Sequence, residues 1–123
     1  MIIPNSLSSI GDGAFSGCGM TSVSIPDNIT SIVPGMFDEC RNLTNVTIPA
    51  NIKSIGDYAF HGCDSLTSVT IPDSVTNIGG GAFQGCNGLT SVTIPDSVTS
   101  IGNNAFETCY NLTSIVVEGR TTA

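Results

Sequence analysis

The sequence predicts a repeat solenoid, and three observations predict it. The eleven residues LTSVTIPDSVT occur twice, at 66–76 and again at 89–99. All five phenylalanines, Phe15, Phe37, Phe60, Phe83 and Phe106, are separated by 22, 23, 23 and 23 residues, and the five cysteines, Cys18, Cys40, Cys63, Cys86 and Cys109, keep the same intervals. Met20, Leu43, Leu66, Leu89 and Leu112 stay 23 apart throughout, which confines the one-residue deletion to the stretch between Cys18 and Met20. A fixed period of this length marks a coil built from single supersecondary units, each too thin to bury its apolar side without its neighbours.

Written once, the unit is LxxVxIPxxVxxIGxxAFxGCxx. Its first, fourth and sixth positions match the apolar pattern of a leucine-rich repeat, and each turn then supplies one strand. Leu66, Val69 and Ile71 face inward, while Thr67, Ser68 and Thr70 lie on the outer, concave side. Pro4, Pro26, Pro49, Pro72 and Pro95 end each strand, because proline has no N–H for a ladder. Asp27, Asp73 and Asp96 follow as turn residues. Leu7–Ile10, Ile29–Ile32, Ile52–Ile55, Val75–Ile78 and Val98–Ile101 form a second short strand on another wall. Gly11, Gly56, Gly79 and Gly102 allow a tight bend, and AFxGC is long enough for a single helical turn.

The whole chain, 1–123, is one domain, with turns at approximately 1–19, 20–42, 43–65, 66–88 and 89–111 and a terminal strand at 112–117. Stacked strands lie about 4.8 Å apart, so five turns make a rod of roughly 25 Å. Identical strings suit such a stack, since each side chain packs on its own copy. The Phe column is the expected spine.

Composition narrows the function. Hydrophobic residues are 40% and charged residues 11%, too apolar for a disordered chain. Three basic residues against ten acidic ones give a formal charge of -7, which repels nucleic acid and anionic lipid. The opening MIIPNSLSSIGDG has no basic segment or continuous apolar run, and no stretch approaches the roughly 20 apolar residues of a membrane helix. No nucleic-acid partner, no membrane insertion and no signal peptide in this chain are expected.

IPDSVTSIG followed by NNAFETC, with its copies IPDSVTNIGGGAFQGC and IPANIKSIGDYAFHGC, resembles the BspA-like, or Treponema pallidum type, leucine-rich repeat family. The resemblance covers nearly the whole chain. It implies a right-handed solenoid, a place at the cell surface or in secretion, and a role in adhesion to host or extracellular proteins. Two departures stand out. Val33, Pro34, Gly35 and Met36 replace the Gly-x-x-Ala of other copies, and the chain begins inside a repeat and ends at VVEGRTTA without a recognisable cap. The second departure points to a fragment of a longer array or to ends covered by something else, and it leaves exposed end strands that invite an end-to-end or edge-strand homodimer.

Candidate chemistry is sparse. Cysteines in register stack with Cβ atoms about 4.8 Å apart, beyond the roughly 3.5–4.5 Å of a disulfide, and no C-x-x-C spacing occurs. Buried reduced thiols are expected. Asp73 and Asp96 stack, but Ala50 breaks their column, so no metal is assigned there. His61, the only histidine, has no nucleophile placed beside it by register. No catalytic residue and no cofactor is expected, and the chain is not read as an enzyme. Asn28, Asn42, Asn45 and Asn111 begin N-x-S/T sequons, which matter only in a secreting eukaryote.

The outward strand positions hold only Thr, Ser, Asn and Val, a solvated β-face without aromatic or charged residues. Variation gathers instead around the Phe and Cys columns, at Asp38, Arg41, Tyr58, His61, Asp64, Gln84, Asn87, Glu107 and Tyr110. If this side contacts a protein, Arg41, Tyr58, His61 and Tyr110 are the candidate binding residues, since interface hot spots favour aromatic and Arg side chains. The competing expectation is ordinary surface with an Arg41–Asp64 pair between turns. Two functions follow: a non-catalytic protein-interaction module, or a structural spacer of a larger repeat protein with no partner of its own.

Overall fold

A computed structural model describes residues 3–7 and 9–118. The expected domain runs over the whole sequence, and its residues 1, 2, 8 and 119–123 lie outside the described residues. The chain winds as a solenoid with two walls of parallel strands. The first wall contains β1 (Ser22–Ser24), β3 (Asn45–Thr47), β5 (Ser68–Thr70), β7 (Ser91–Ile94) and β9 (Ser114–Val117); the second contains β2 (Ser31–Ile32), β4 (Ser54–Ile55), β6 (Asn77–Ile78) and β8 (Ser100–Ile101). Four steps of one coil lead from β1 to β9, and a partial coil precedes them. Of the expected second strand at Leu7–Ile10, the described residues Leu7, Ser9 and Ile10 are not in a strand, and Ser8 lies outside the described residues.

Register follows the repeat. Val23 lies opposite Val46, Val69 opposite Val92, and Ile32, Ile55, Ile78 and Ile101 line up in one column. The second wall is a continuous four-stranded sheet, whereas the first is divided into β1–β3 and β5–β7–β9. Along β1, β3, β5 and β7 every second residue is buried: Val23, Val46, Val69 and Val92 point in, while the Ser, Thr and Asn on either side are exposed. Proline closes the corner between the walls. The carbonyls of Pro4, Pro26, Pro49, Pro72 and Pro95 each accept the N–H three residues on, from Leu7, Ile29, Ile52, Val75 and Val98.

The third wall differs from its expectation. Its segments are turns, with no helix among the described residues. The cause lies in the backbone, for each coil has two residues in the left-handed region, four apart: Gly13 and Gly17, Gly35 and Glu39, Tyr58 and Gly62, Gly81 and Gly85, Asn104 and Thr108. A right-handed helix cannot pass through such residues. Alternate N–H groups instead turn outward to the next coil, as from Tyr58 to the Gly80 carbonyl, Phe60 to Ala82 and Gly62 to Gln84. The N–H groups between them close short turns on their own coil, as from His61 to Tyr58 and from Cys63 to Phe60. The wall is thus a third ladder, and the coil stays in register on every side. In coil two Gly35 holds the first left-handed position (φ 65°), so the Val33–Pro34–Gly35–Met36 variant preserves the turn.

The glycine after the second strand also has another cause. Gly56, Gly79 and Gly102 are not left-handed; a Cβ at Gly79 would lie 2.5 Å from the Asp57 backbone N, and one at Gly56 would lie 2.6 Å from that of Pro34. These glycines make room for the preceding coil, which approaches too closely for any side chain.

Only apolar side chains are buried among the described residues. Phe37, Phe60 and Phe83 have no exposed surface, and the five rings stack with centroids 5.8, 5.4, 5.2 and 5.4 Å apart along the column. Each thiol from the second coil on donates to the Phe carbonyl of the coil before it: Cys40 to Phe15, Cys63 to Phe37, Cys86 to Phe60 and Cys109 to Phe83, at 3.1–3.2 Å. Thr44, Thr76, Thr99 and Thr113 do the same at other corners, donating to Thr21, Lys53, Thr76 and Thr90. Side-chain bonds between coils therefore reinforce the backbone ladders.

Candidate functional site

The third wall is where the coils stop being alike. After each Phe stands one column, Ser16, Asp38, His61, Gln84 and Glu107; after each Cys stands another, Gly19, Arg41, Asp64, Asn87 and Tyr110. A 23-residue offset places neighbours in a column on adjacent coils. Arg41 Nη1 accordingly lies 2.7 Å from Asp64 Oδ2, the pair that the register predicts, and Gln84 Nε2 donates to Glu107 Oε1 at 2.7 Å. By the same rule His61 Nδ1 lies 2.7 Å from Asp38 Oδ1.

Glu39 joins these pairs into one cluster. Its Oε2 is 2.5 Å from Arg41 Nη2, and its Oε1 is 3.7 Å from His61 Nδ1. The Tyr58 ring meets His61 edge-on, with centroids 5.7 Å apart and planes at 89°. Three of the four candidate residues, Arg41, Tyr58 and His61, thus form a continuous patch. Tyr110 stands apart in the Arg41 column and is 79% exposed.

Local geometry explains how Tyr58 and Glu39 reach this arrangement. Both occupy left-handed positions (φ 58° and 62°) that other coils give to glycine. In each case the following coil has glycine at the same position: Gly81 lies beneath the Tyr58 ring and Gly62 beneath the Glu39 carboxylate. A Cβ on Gly81 would lie 2.5 Å from Tyr58 Cε1, and one on Gly62 would lie 3.2 Å from both Glu39 carboxylate oxygens. Bulk on one coil is accommodated by its absence on the next. Glu39 is a member of the patch that sequence reasoning missed; the signal was its replacement of glycine in the column of Gly17, Gly62 and Gly85.

Elsewhere the surface is plain. Ser22, Asn45, Ser68, Ser91 and Ser114 and the column of Ser24, Thr47, Thr70, Thr93 and Val116 are exposed on the first wall. Of the sequon residues, Asn28 donates to the carbonyls of Asn5 and Leu7, Asn111 donates to that of Asn87, and Asn45 lies within β3. Burial raises the thiol of Cys86 to about 12 and pushes that of Cys63 up as well, with smaller contributions from neighbouring cysteines. Cys40 and Cys109 are raised for the same first reason. Nucleophilic sulfur chemistry needs the thiolate, which this environment disfavours. No helix among the described residues is long and apolar enough to cross a membrane.

Three ladders around an apolar interior, repeated every 23 residues, define a leucine-rich-repeat solenoid, a fold that is generally non-enzymatic. The chain belongs to the BspA type leucine-rich repeat family, whose family model matches residues 1–113 in six copies. No curated protein matches it. Among solved structures it is similar to a leucine-rich cell surface protein from Faecalibacterium prausnitzii, at 37% identity and a TM-score of 0.93 over 98% of this chain and 32% of that one. A leucine-rich repeat protein from Bacteroides ovatus is 34% identical with a TM-score of 0.85, over 94% of this chain and 32% of that one. The T. pallidum leucine-rich repeat protein is 32% identical with a TM-score of 0.88, over 93% and 56% respectively. The chain therefore spans about a third of the first two relatives and just over half of the third.

Proposed function

We propose that the chain is a non-catalytic protein-interaction module of a cell-surface or secreted protein, adhesive toward a host or extracellular-matrix protein, and that it docks through the third wall. The observation that carries this is the patch of Arg41, Glu39, His61 and Tyr58 on an otherwise uniform stack. Tyr58 is half exposed and held over Gly81, so little side-chain freedom is lost when a partner covers it. Tyr110 extends the same face as a second aromatic contact. The named surface protein among the relatives supports the location.

A solid-phase binding assay against a panel of matrix and host surface proteins tests the proposal. Saturable binding that Tyr58→Ala and Tyr110→Ala each weaken, with unchanged circular dichroism, supports docking at this face; binding that neither variant alters places the contact elsewhere. A structural-spacer role is the second reading, favoured by the plain first wall. Uniform failure to bind the panel supports it. Homodimerisation through the end of the stack is a further proposal, resting on the half-exposed Ile101, Ile115, Val116 and Val117. Sedimentation equilibrium decides it, and a monomer at all concentrations removes it.

A further inference from the structure

We propose that Asp38, Glu39 and His61 form a binding site for a divalent metal ion of the zinc class. The three residues come from two adjacent coils, and one ligand atom from each lies within 4.8 Å of the others. His61 presents Nδ1 to both carboxylates, at 2.7 Å from Asp38 Oδ1 and 3.7 Å from Glu39 Oε1. A metal about 2.0–2.2 Å from each donor holds neighbouring donors roughly 3.4 Å apart in a tetrahedral site, so the two His61 distances need to change by less than about 1 Å to seat it. The side chains are one-third exposed, and remaining coordination positions open to water or to a donor from another protein.

Two further features fit a cation here. Gly62 provides a cradle: its missing side chain is what lets the Glu39 carboxylate lie down beside His61. The charge is also unbalanced, since Glu39 and Asp64 share one guanidinium, Arg41, while Asp38 pairs with His61. One imidazole nitrogen and two carboxylate oxygens favour Zn²⁺ over Ca²⁺ or Mg²⁺, which prefer all-oxygen shells. Arg41 competes with the metal by holding Glu39 Oε2.

Titration calorimetry of ZnCl₂ into the full chain, in buffer stripped by chelator, tests the site. One equivalent is expected to bind, with no matching heat from CaCl₂. Asp38→Asn, Glu39→Gln and His61→Gln should each weaken binding by more than the roughly tenfold typical of losing a supporting group, and Gly62→Ala by about that amount. Arg41→Met should tighten it. A merely structural ion-pair cluster predicts none of these changes. Co²⁺ substitution separates the site from the cysteines, because thiolate ligation gives an intense sulfur-to-cobalt absorption that oxygen and imidazole ligands do not. Absence of binding, affinity unchanged in His61→Gln, or that absorption band overturns the proposal. If Gly62→Ala loses its circular dichroism signal, the surface substitutions at positions 39 and 61 decide the matter.

Discussion

Phe60 and Phe106 occupy the same register position, yet they do not live in the same place. Phe60 is fully buried between Phe37 and Phe83, whereas Phe106 stacks on Phe83 alone and keeps part of its surface exposed. Glycine repeats the contrast. A Cβ on Gly79 would strike the backbone of coil three, while one on Gly11, at the same position in the first coil, would meet nothing within 4 Å. In a stack, burial is conferred by the coil above and the coil below, so equal letters carry unequal energies.

Substitution in the Phe column should break this contrast most visibly. Phe60→Ala is expected to cost about 3–5 kcal/mol, with a smaller loss for Phe106→Ala, read from urea denaturation of both variants. If the two losses are equal, neighbour-conferred burial is the wrong explanation.

Alkaline pH should act through the middle coils next. The folded thiols of Cys63 and Cys86 hold their protons well above the ordinary value of 9.0, with Cys86 at about 12, while the unfolded chain begins to lose them near 9.0. Their contribution to stability is therefore complete below pH 9.0 and is lost as pH rises from there toward about 12. At pH 10 the loss is about 1.4 kcal/mol per thiol. A Cys63→Ala, Cys86→Ala double variant should show a flatter decline of melting temperature with pH than the parent. Parallel declines would contradict the assignment.

Gly79→Ala should cost about 1–3 kcal/mol through overpacking, and Gly11→Ala under about 0.5 kcal/mol. Thermal melts of the pair sharpen the comparison at constant chemistry. The smallest effect belongs to the rim. Arg41 is 61% exposed, so Arg41→Met should change stability by no more than about 1 kcal/mol, and less in high salt. A larger loss would mean that the patch holds the stack together and is not a surface laid upon it.

Much of this was legible before the structure. The spacing of Phe, Cys and Leu placed both strand walls, and the step from Arg41 to Asp64 placed their ion pair. The same step leads from Asp38 to His61, and weighing His61 only against nucleophiles hid it. The third wall was misread as helical because AFxGC is long enough for one helical turn, while its left-handed residues are glycine in some coils and Tyr58, Asn104, Glu39 or Thr108 in others. The thiol bonds were invisible for another reason. Their acceptors lie 26 residues back in most coils, outside the 23-residue column that a repeat alignment compares.

The third wall has one more consequence. At three positions in each of four successive coils, from Gly13, Phe15 and Gly17 to Gly81, Phe83 and Gly85, the N–H donates to a carbonyl of the next coil, never of the previous one. The first strand wall mixes the two directions, as from Ile25 forward to Thr47 and from Thr44 back to Thr21, but here the peptide dipoles share one sense along the solenoid axis. Like the peptides of a helix, they add. This side of the rod is electrically polar from end to end, with partial positive charge gathering toward the high-numbered coil and partial negative charge toward the first. Stacking order is thereby given a sign: a coil laid beyond Asn104, Phe106 and Thr108 must offer carbonyls, and the opposite end must receive amides.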